Sequence, residues 1–327
     1  MYFLLSSFSC VWLFAGLRGS VGQDTLNYTR HFERLISWPE RVEYFGYMEP
    51  FFASLMIVFS AVFDDVFAVF LFFSFIQAVL IFKIVGKMHH GVFFFSSYIL
   101  IFYVSLNLNV LRAGLALLLF IQSLLFCKTR KGGVYLVLAL ATHVSVFALL
   151  PLYLIRSKAR VRDYFFVILT CAVFGWLAWI FMGDYLIFKI QVYVLDIDSG
   201  FHVSVSMIAL IFFGFFMLLL DRNFSSEAIF AYVIMMVWMV LTTKFSVFHR
   251  FYQMAFLVFL FLVFEKRVFR FSEFKVRPFS VYAMLLVIYF TVSTAIGMLN
   301  EGQRVYDSGK GDFEYTIVPY SLFWLDN

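Results

Sequence analysis

Long apolar runs alternate with short polar breaks along the whole chain, and this pattern predicts membrane-length helices from end to end. Runs with almost no charge lie at 2–17, 66–86, 92–106, 109–127, 164–182, 202–220, 228–243, 251–264 and 280–299. Each is long enough, or nearly so, to cross a hydrocarbon layer of about 30 Å as a helix. Two further runs do not fit as spans. The run 50–63 has only 14 residues before Asp64-Asp65, so it is expected to be a short helix lying outside. The run 133–155 has basic clusters at both ends, Lys128/Arg130/Lys131 and Arg156/Lys158/Arg160/Arg162. Positive-inside logic puts both ends in the cytoplasm. The run is therefore expected to be a broken or re-entrant hairpin, its backbone covered by protein or a polar cavity.

Composition supports this pattern. Of 327 residues, 63% are hydrophobic and 14% are charged, with a mean hydropathy of +0.92. A soluble domain has about 45–50% apolar residues. The expected fold class is all-α: a polytopic transmembrane helical bundle of about nine spans, plus the short outer helix and the broken or re-entrant one. Residues 1–327 are read as a single integral membrane domain with an outer loop at 18–65. Residues 1–17 lack a basic leading segment, so the first span is expected to stay uncleaved.

The net charge of +5 is not a nucleic-acid signal, because the charges sort by side. With the N-terminus inside, cytoplasmic segments hold 15 Lys and Arg against 5 acids, and outer segments hold 10 against 15. Letting 133–155 cross fully would place the basic run from Lys266 to Arg277 outside. Cys10, Cys127 and Cys171 lie in or beside apolar segments with no paired or metal-binding spacing, and are read as packing residues.

This topology puts Arg18, Asp24, Asn107, Asn109, Arg112, Lys244, His249 and Arg250 at the outer face. Charge near hydrocarbon is costly, so ionisable groups there are functional candidates. Arg112 opens a helix directly after Asn107 and Asn109. A helix N-terminus has unpaired N–H groups and partial positive charge, and a guanidinium grips phosphate oxygens bidentately. The alternative is an Arg paired to an acid inside the bundle or snorkelling to the surface. Asp24 follows Gly22 in a turn, where it either accepts a proton or closes a local side-chain-to-backbone bond. His143 lies mid-run in Ala141-Thr142-His143-Val144-Ser145, at the predicted tip of the broken segment. A neutral imidazole there can act as a general base, and a satisfied core histidine is the plainer reading. The aromatic stretch Tyr44-Phe45-Gly46-Tyr47-Met48-Glu49-Pro50 either stacks on sugar rings or forms an interfacial belt.

Taken in order, Arg18, Val21-Gly22-Gln23-Asp24, Tyr28, Phe32, Tyr47-Met48-Glu49-Pro50, Asn109-Val110-Leu111-Arg112-Ala113-Gly114-Leu115-Ala116 and His143-Val144-Ser145 resemble the EpsG family of exopolysaccharide and O-antigen polymerases. Arg250, late in the chain, extends the likeness. Ala113 stands where the family often has Gln. The resemblance implies a glycosyltransferase that joins oligosaccharide repeat units carried on undecaprenyl diphosphate, at the outer face of the bacterial inner membrane. Its expected catalytic residues are Asp24, His143, Arg112 and Arg250. Its expected substrate-binding residues are Arg18, Asn107, Asn109, Tyr47 and Glu49. No cofactor, metal or nucleic acid is expected. The expected partners are the lipid-linked oligosaccharide, membrane lipid, a chain-length regulator and a flippase.

Other chemistries lack their signatures. There is no Gly-rich nucleotide loop, no Walker lysine and no His-Glu-x-x-His. Asp196-Ile197-Asp198 falls in an outer loop with no soluble domain around it. Two alternatives stand beside the polymerase. One is a flippase or exporter of lipid-linked sugars, which favours paired repeats. The other is a membrane acyltransferase acting on the same polysaccharide.

Overall fold

Among the described residues the apolar runs fold as helices whose lengths follow the spacing of their polar breaks. The computed structural model describes residues 2–17, 25–37, 48–158, 176, 205–220, 225–243 and 248–265, and these are helical apart from short turns and connections, with no strand among them. The chain divides into two compact units. One comprises Met1–Pro39, Ser54–Leu118 and Phe264–Asn327, and the other Glu40–Ala53 and Leu119–Val263.

The first half of the chain supplies α1 (Tyr2–Gly16), α2 (Thr25–Ser37), α3 (Pro50–Val62) and α4 (Val66–Val85). After them come α5 (Gly91–Ser97), a π-helical continuation (Tyr98–Asn109) and α6 (Leu111–Leu125). In the first unit α1 lies along α4. The Trp12 indole N–H donates to the Leu71 carbonyl at 2.9 Å, and the Tyr103 hydroxyl donates to the Val11 carbonyl. Gly16 permits the close approach, since a Cβ there would sit 2.9 Å from the Leu71 Cα. Phe8, Trp12, Phe75 and Phe82 pack edge-on around the same contact. Asp65 starts α4 by accepting the Phe67 N–H at 2.8 Å, which satisfies one free donor of the helix end.

The second unit is built from the end of α6, then α7 (Arg130–Thr142), a 3₁₀ turn (Val144–Leu149), α8 (Leu150–Ser157), α9 (Val205–Leu220), α10 (Ser226–Thr242) and α11 (His249–Glu265). From Met254 to Val263, α11 is buried on all sides, as expected of a core helix. Phe256 meets Phe213 of α9, and Phe259 meets Tyr232 of α10. Ser225 caps α10 by accepting the Ala228 N–H.

Among the described residues one helix, α4, is both long and apolar enough to cross a membrane, and several more are apolar but shorter. Nine crossings are therefore a proposal, taken up below. The outward faces are apolar as well as the inward ones. On α10, Ala228, Ala231, Met235 and Met239 are buried while Val233, Val237 and Val240 stand exposed. A helix that is apolar on its exposed side belongs in lipid or against another apolar surface.

Two features differ from the sequence reading, and a third agrees with it. The loop 18–65 contains α2, whose Tyr28, Phe32 and Leu35 are buried at spacings of four and three while Arg30, Glu33 and Arg34 face out. The helix expected at 92–106 runs on to Asn109, so Asn107 and Asn109 lie inside the π-helical stretch and not in a loop. The run 50–63 does form a short helix, α3. The run 280–299, and all of 164–182 except Trp176, lie outside the described residues.

Candidate functional site

In the first unit, Arg112 is the second residue of α6, where backbone N–H groups have no partner within the helix. Tyr28 of α2, buried to 2% exposure, supplies one. Its hydroxyl accepts the Arg112 N–H at 3.4 Å, and the Arg112 guanidinium lies 6.0 Å over the Tyr28 ring. Two motif fragments 84 residues apart thus meet. The cation–π contact holds the guanidinium beside the helix N-terminus.

Gln77 and Ser74, not singled out in the sequence, and Gly114 of the quoted motif complete this corner. Gln77, fully buried on α4, donates from Nε2 to the Leu111 carbonyl at 3.0 Å. Its Oε1, and Ser74 Oγ one turn earlier, have no hydrogen-bond partner among the described residues. Gly114 follows, and a Cβ there would lie 2.6 Å from the Leu106 carbonyl and 3.1 Å from Gln77 Nε2. Only glycine lets α6 fold back this closely on the π-helical stretch. The available signal was an amide side chain in the middle of an otherwise apolar 20-residue run.

The same unit holds a cavity of about 350 Å³ between α2 and the start of α4. Thr25, Thr29, Phe32, Glu33, Asp64 and Asp65 are among its lining residues. Carboxylates and hydroxyls beside an aromatic ring suit a polyhydroxyl ligand. Asp65 is already engaged in capping α4.

In the second unit, 130–157 is broken at one residue. His143 ends α7 in extended backbone (φ −157°, ψ 127°), and the 3₁₀ turn begins after it. The two ends of the segment return to each other. The Cys127 thiol approaches the Arg156 carbonyl at 3.9 Å, and Arg156 Nε donates to the Leu124 carbonyl at 2.9 Å. A straight helix over these residues would hold its ends about 40 Å apart. The segment is therefore a helical hairpin with His143 at its tip. Arg156 fastens the base: its Nη1 donates to Glu227 at 3.1 Å, and its guanidinium lies 5.7 Å over the Phe261 ring.

At the tip, His143 Nδ1 lies 3.5 Å from Glu49 Oε1, with side-chain exposures of 13% and 16%. The Val144 N–H donates to the same Glu49 oxygen at 3.4 Å, and the Ser145 N–H lies 3.2 Å from His143 Nδ1. Ser145 Oγ donates to Met254 Sδ on α11 at 3.3 Å. Arg250 is exposed on α11, one turn before Met254 and on the same helical face. Glu49, His143 and the helix bearing Arg250 therefore converge. Arg18, Asp24, Tyr47 and Lys244 lie outside the described residues. For Asn107, Asn109 and His249 only the backbone is described. Among the described residues, no group of three or more His, Cys, Asp or Glu side chains is placed to hold a metal ion.

Comparison with known proteins gives one match. The EpsG family model matches residues 1–320. Neither a curated protein nor a solved structure matches the chain.

Proposed function

The chain belongs to the EpsG family, and from that premise we propose that it is a polymerase of bacterial surface polysaccharide, an O-antigen or an exopolysaccharide. In this reading it is a multi-pass glycosyltransferase of the inner membrane that joins oligosaccharide repeat units carried on undecaprenyl diphosphate at the outer face. A flippase delivers the units and a chain-length regulator sets the product size. The observation that supports this most directly is the convergence of Glu49, His143 and the Arg250 helix at the tip of the helical hairpin. The hairpin base carries the basic clusters and belongs at the cytoplasmic side. The 13 residues of α7 then raise the tip about 20 Å, most of the way across a bilayer of about 30 Å.

The chemistry in this reading is a glycosyl transfer. An acceptor hydroxyl attacks the anomeric carbon of a lipid-linked donor. The new glycosidic C–O bond forms as the C–O bond to the diphosphate breaks, and undecaprenyl diphosphate departs. His143 or Asp24 takes the hydroxyl proton. Arg112 and Arg250 stabilise the negative charge that develops on the leaving diphosphate. Arg18, Asn107, Asn109, Tyr47 and Glu49 bind the glycan or its diphosphate. The nine-span topology puts 18–65 outside and 265–277 inside.

Chain length in cells carrying single variants tests these roles. Arg112→Ala and Arg250→Ala should each leave short glycans at normal protein abundance. Long chains from Arg112→Ala would remove that arginine from the mechanism. Cysteines placed at Gly46 and Ser272 test the topology, since only the first should react with an impermeant thiol reagent in intact spheroplasts.

A further inference from the structure

The hairpin tip contains a conflict that a single proton resolves. His143 Nδ1 faces both the Ser145 N–H at 3.2 Å and the Glu49 carboxylate at 3.5 Å. It can serve one of them at a time. As a bare nitrogen it accepts from Ser145 and caps the 3₁₀ turn. The ring proton is then on Nε2, which cannot take another. As N–H it donates to Glu49, and the ring's lone pair is then on Nε2.

We infer that Glu49 is a positioning residue, which selects the Nδ1–H tautomer of His143 and thereby makes Nε2 the proton acceptor. This rests on His143 serving as the general base of the proposed polymerase. It also changes the expected role of Glu49 from glycan contact to support of the base. An ionised carboxylate facing a bare nitrogen at this distance is repulsive, and facing an N–H it is attractive. Both side chains are mostly shielded from solvent, so the preference is weakly screened. Which imidazole nitrogen bears the proton is set by the partner of the other one, the arrangement seen where an acid orients a catalytic histidine.

Glu49 is itself held. The Val144 N–H donates to the oxygen that faces Nδ1, so the carboxylate is fixed from the first residue of the turn it helps to shape. The Ser145 hydroxyl is tied to Met254 and keeps the turn against α11. Glu49, just before α3, is charged and in contact with the tip, and Arg250 lies one turn from Met254 on α11. In catalysis the acceptor hydroxyl gives its proton to Nε2. The resulting imidazolium keeps its Nδ1–H on Glu49, and the proton later leaves to water.

The test reads the tautomer directly. Protein with ¹⁵N-labelled histidine is purified in detergent, and the His143 signals are assigned by their loss in His143→Gln. At neutral pH the parent protein should show His143 protonated on Nδ1. In Glu49→Gln, which keeps an acceptor for the Val144 N–H, the proton should move to Nε2. Glu49→Asp should keep the Nδ1–H form at least in part. Chain extension is then measured on lipid-linked repeat units extracted from cells lacking this protein. In Glu49→Gln, kcat should fall about a hundredfold with KM nearly unchanged. An unchanged tautomer in Glu49→Gln overturns the inference, and a raised KM with that result returns Glu49 to substrate binding. A switched tautomer with unimpaired chain extension overturns instead the base role of His143.

Discussion

Replacing Arg156 by Met should loosen the hairpin at its base. Met keeps most of the apolar stem and removes three interactions together. These are the hydrogen bond to the Leu124 carbonyl at 2.9 Å, the ion pair with Glu227 at 3.1 Å and the stacking over Phe261 at 5.7 Å. Hydrogen bonds to a charged group contribute about 1.5–3 kcal/mol, and a partly desolvated cation–π contact about 1 kcal/mol. The loss also strands Glu227, whose side chain is 21% exposed. Breaking a fully buried pair costs about 3–5 kcal/mol. Partial exposure lowers this to about 3 kcal/mol, or somewhat over a hundredfold in the opening equilibrium. Cys127 reports the opening, because its thiol faces the Arg156 carbonyl. In a background with Cys10→Ser and Cys171→Ser it is the sole thiol of the chain's three. Arg156→Met should speed its labelling by a small reagent about a hundredfold. Glu227→Gln should have a smaller effect, and the double variant should fall well short of additivity. A change under about threefold in Arg156→Met would refute the assignment of Arg156 as the fastener.

Other consequences are as direct. Gly114→Ala should lower stability by about 1–3 kcal/mol, because the added methyl meets the Leu106 carbonyl. Helix propensity alone predicts a gain of about 1 kcal/mol, so an unfolding measurement showing a gain would contradict the close approach. Arg112→Lys should be clearly impaired in chain extension, because Lys keeps the charge and loses the planar fork. Full activity there would exclude a bidentate grip. Burial, and then the neighbouring His89, hold the His90 pKa below the usual histidine value in the turn between α4 and α5. The unfolded chain takes up that proton near pH 6.5 and the folded chain resists it, so stability should drop as pH falls below about 6.5. His90→Gln should flatten that part of the profile, and identical slopes would rule the contribution out. Asp24→Asn and His143→Gln, compared at equal abundance, separate the two candidate bases: loss of the true one should nearly abolish polymer.

The parts of the fold that the sequence disclosed were those set by local signals. Apolar runs bounded by charge became α1, α4, α6, α9, α10 and α11 within a few residues of their expected ends. Basic residues on both flanks of 133–155 disclosed a hairpin, because the two ends of one segment cannot both be cytoplasmic if it crosses once. Helix α2 was missed because its apolar residues are sparse and its surface charges dominate the composition. The π-helical stretch was missed because nothing in its residue types separates that winding from an ordinary helix. At the site, Arg112 and His143 stood out as polar groups in apolar surroundings. The contacts around them did not. Tyr28 lies 84 residues from Arg112, Gln77 lies 34 from the Leu111 carbonyl it holds, and Glu49 lies 94 from His143, and spacing alone does not report contacts of that range. Glu49 was noticed as part of an aromatic stretch, and its neighbour His143 was visible only in the fold.

The central claim, that this chain extends lipid-linked repeat units into polymer, is tested most directly by deleting it and counting repeats. Surface polysaccharide from the deletion strain, resolved on a gel, should show single repeat units on their carrier or acceptor and no ladder. The ladder should return with the parent gene and not with Arg112→Ala. Loss of even single units from the surface would instead indicate a flippase or exporter. Chains of normal length would indicate a modifying enzyme such as an acyltransferase, and either result would contradict the polymerase.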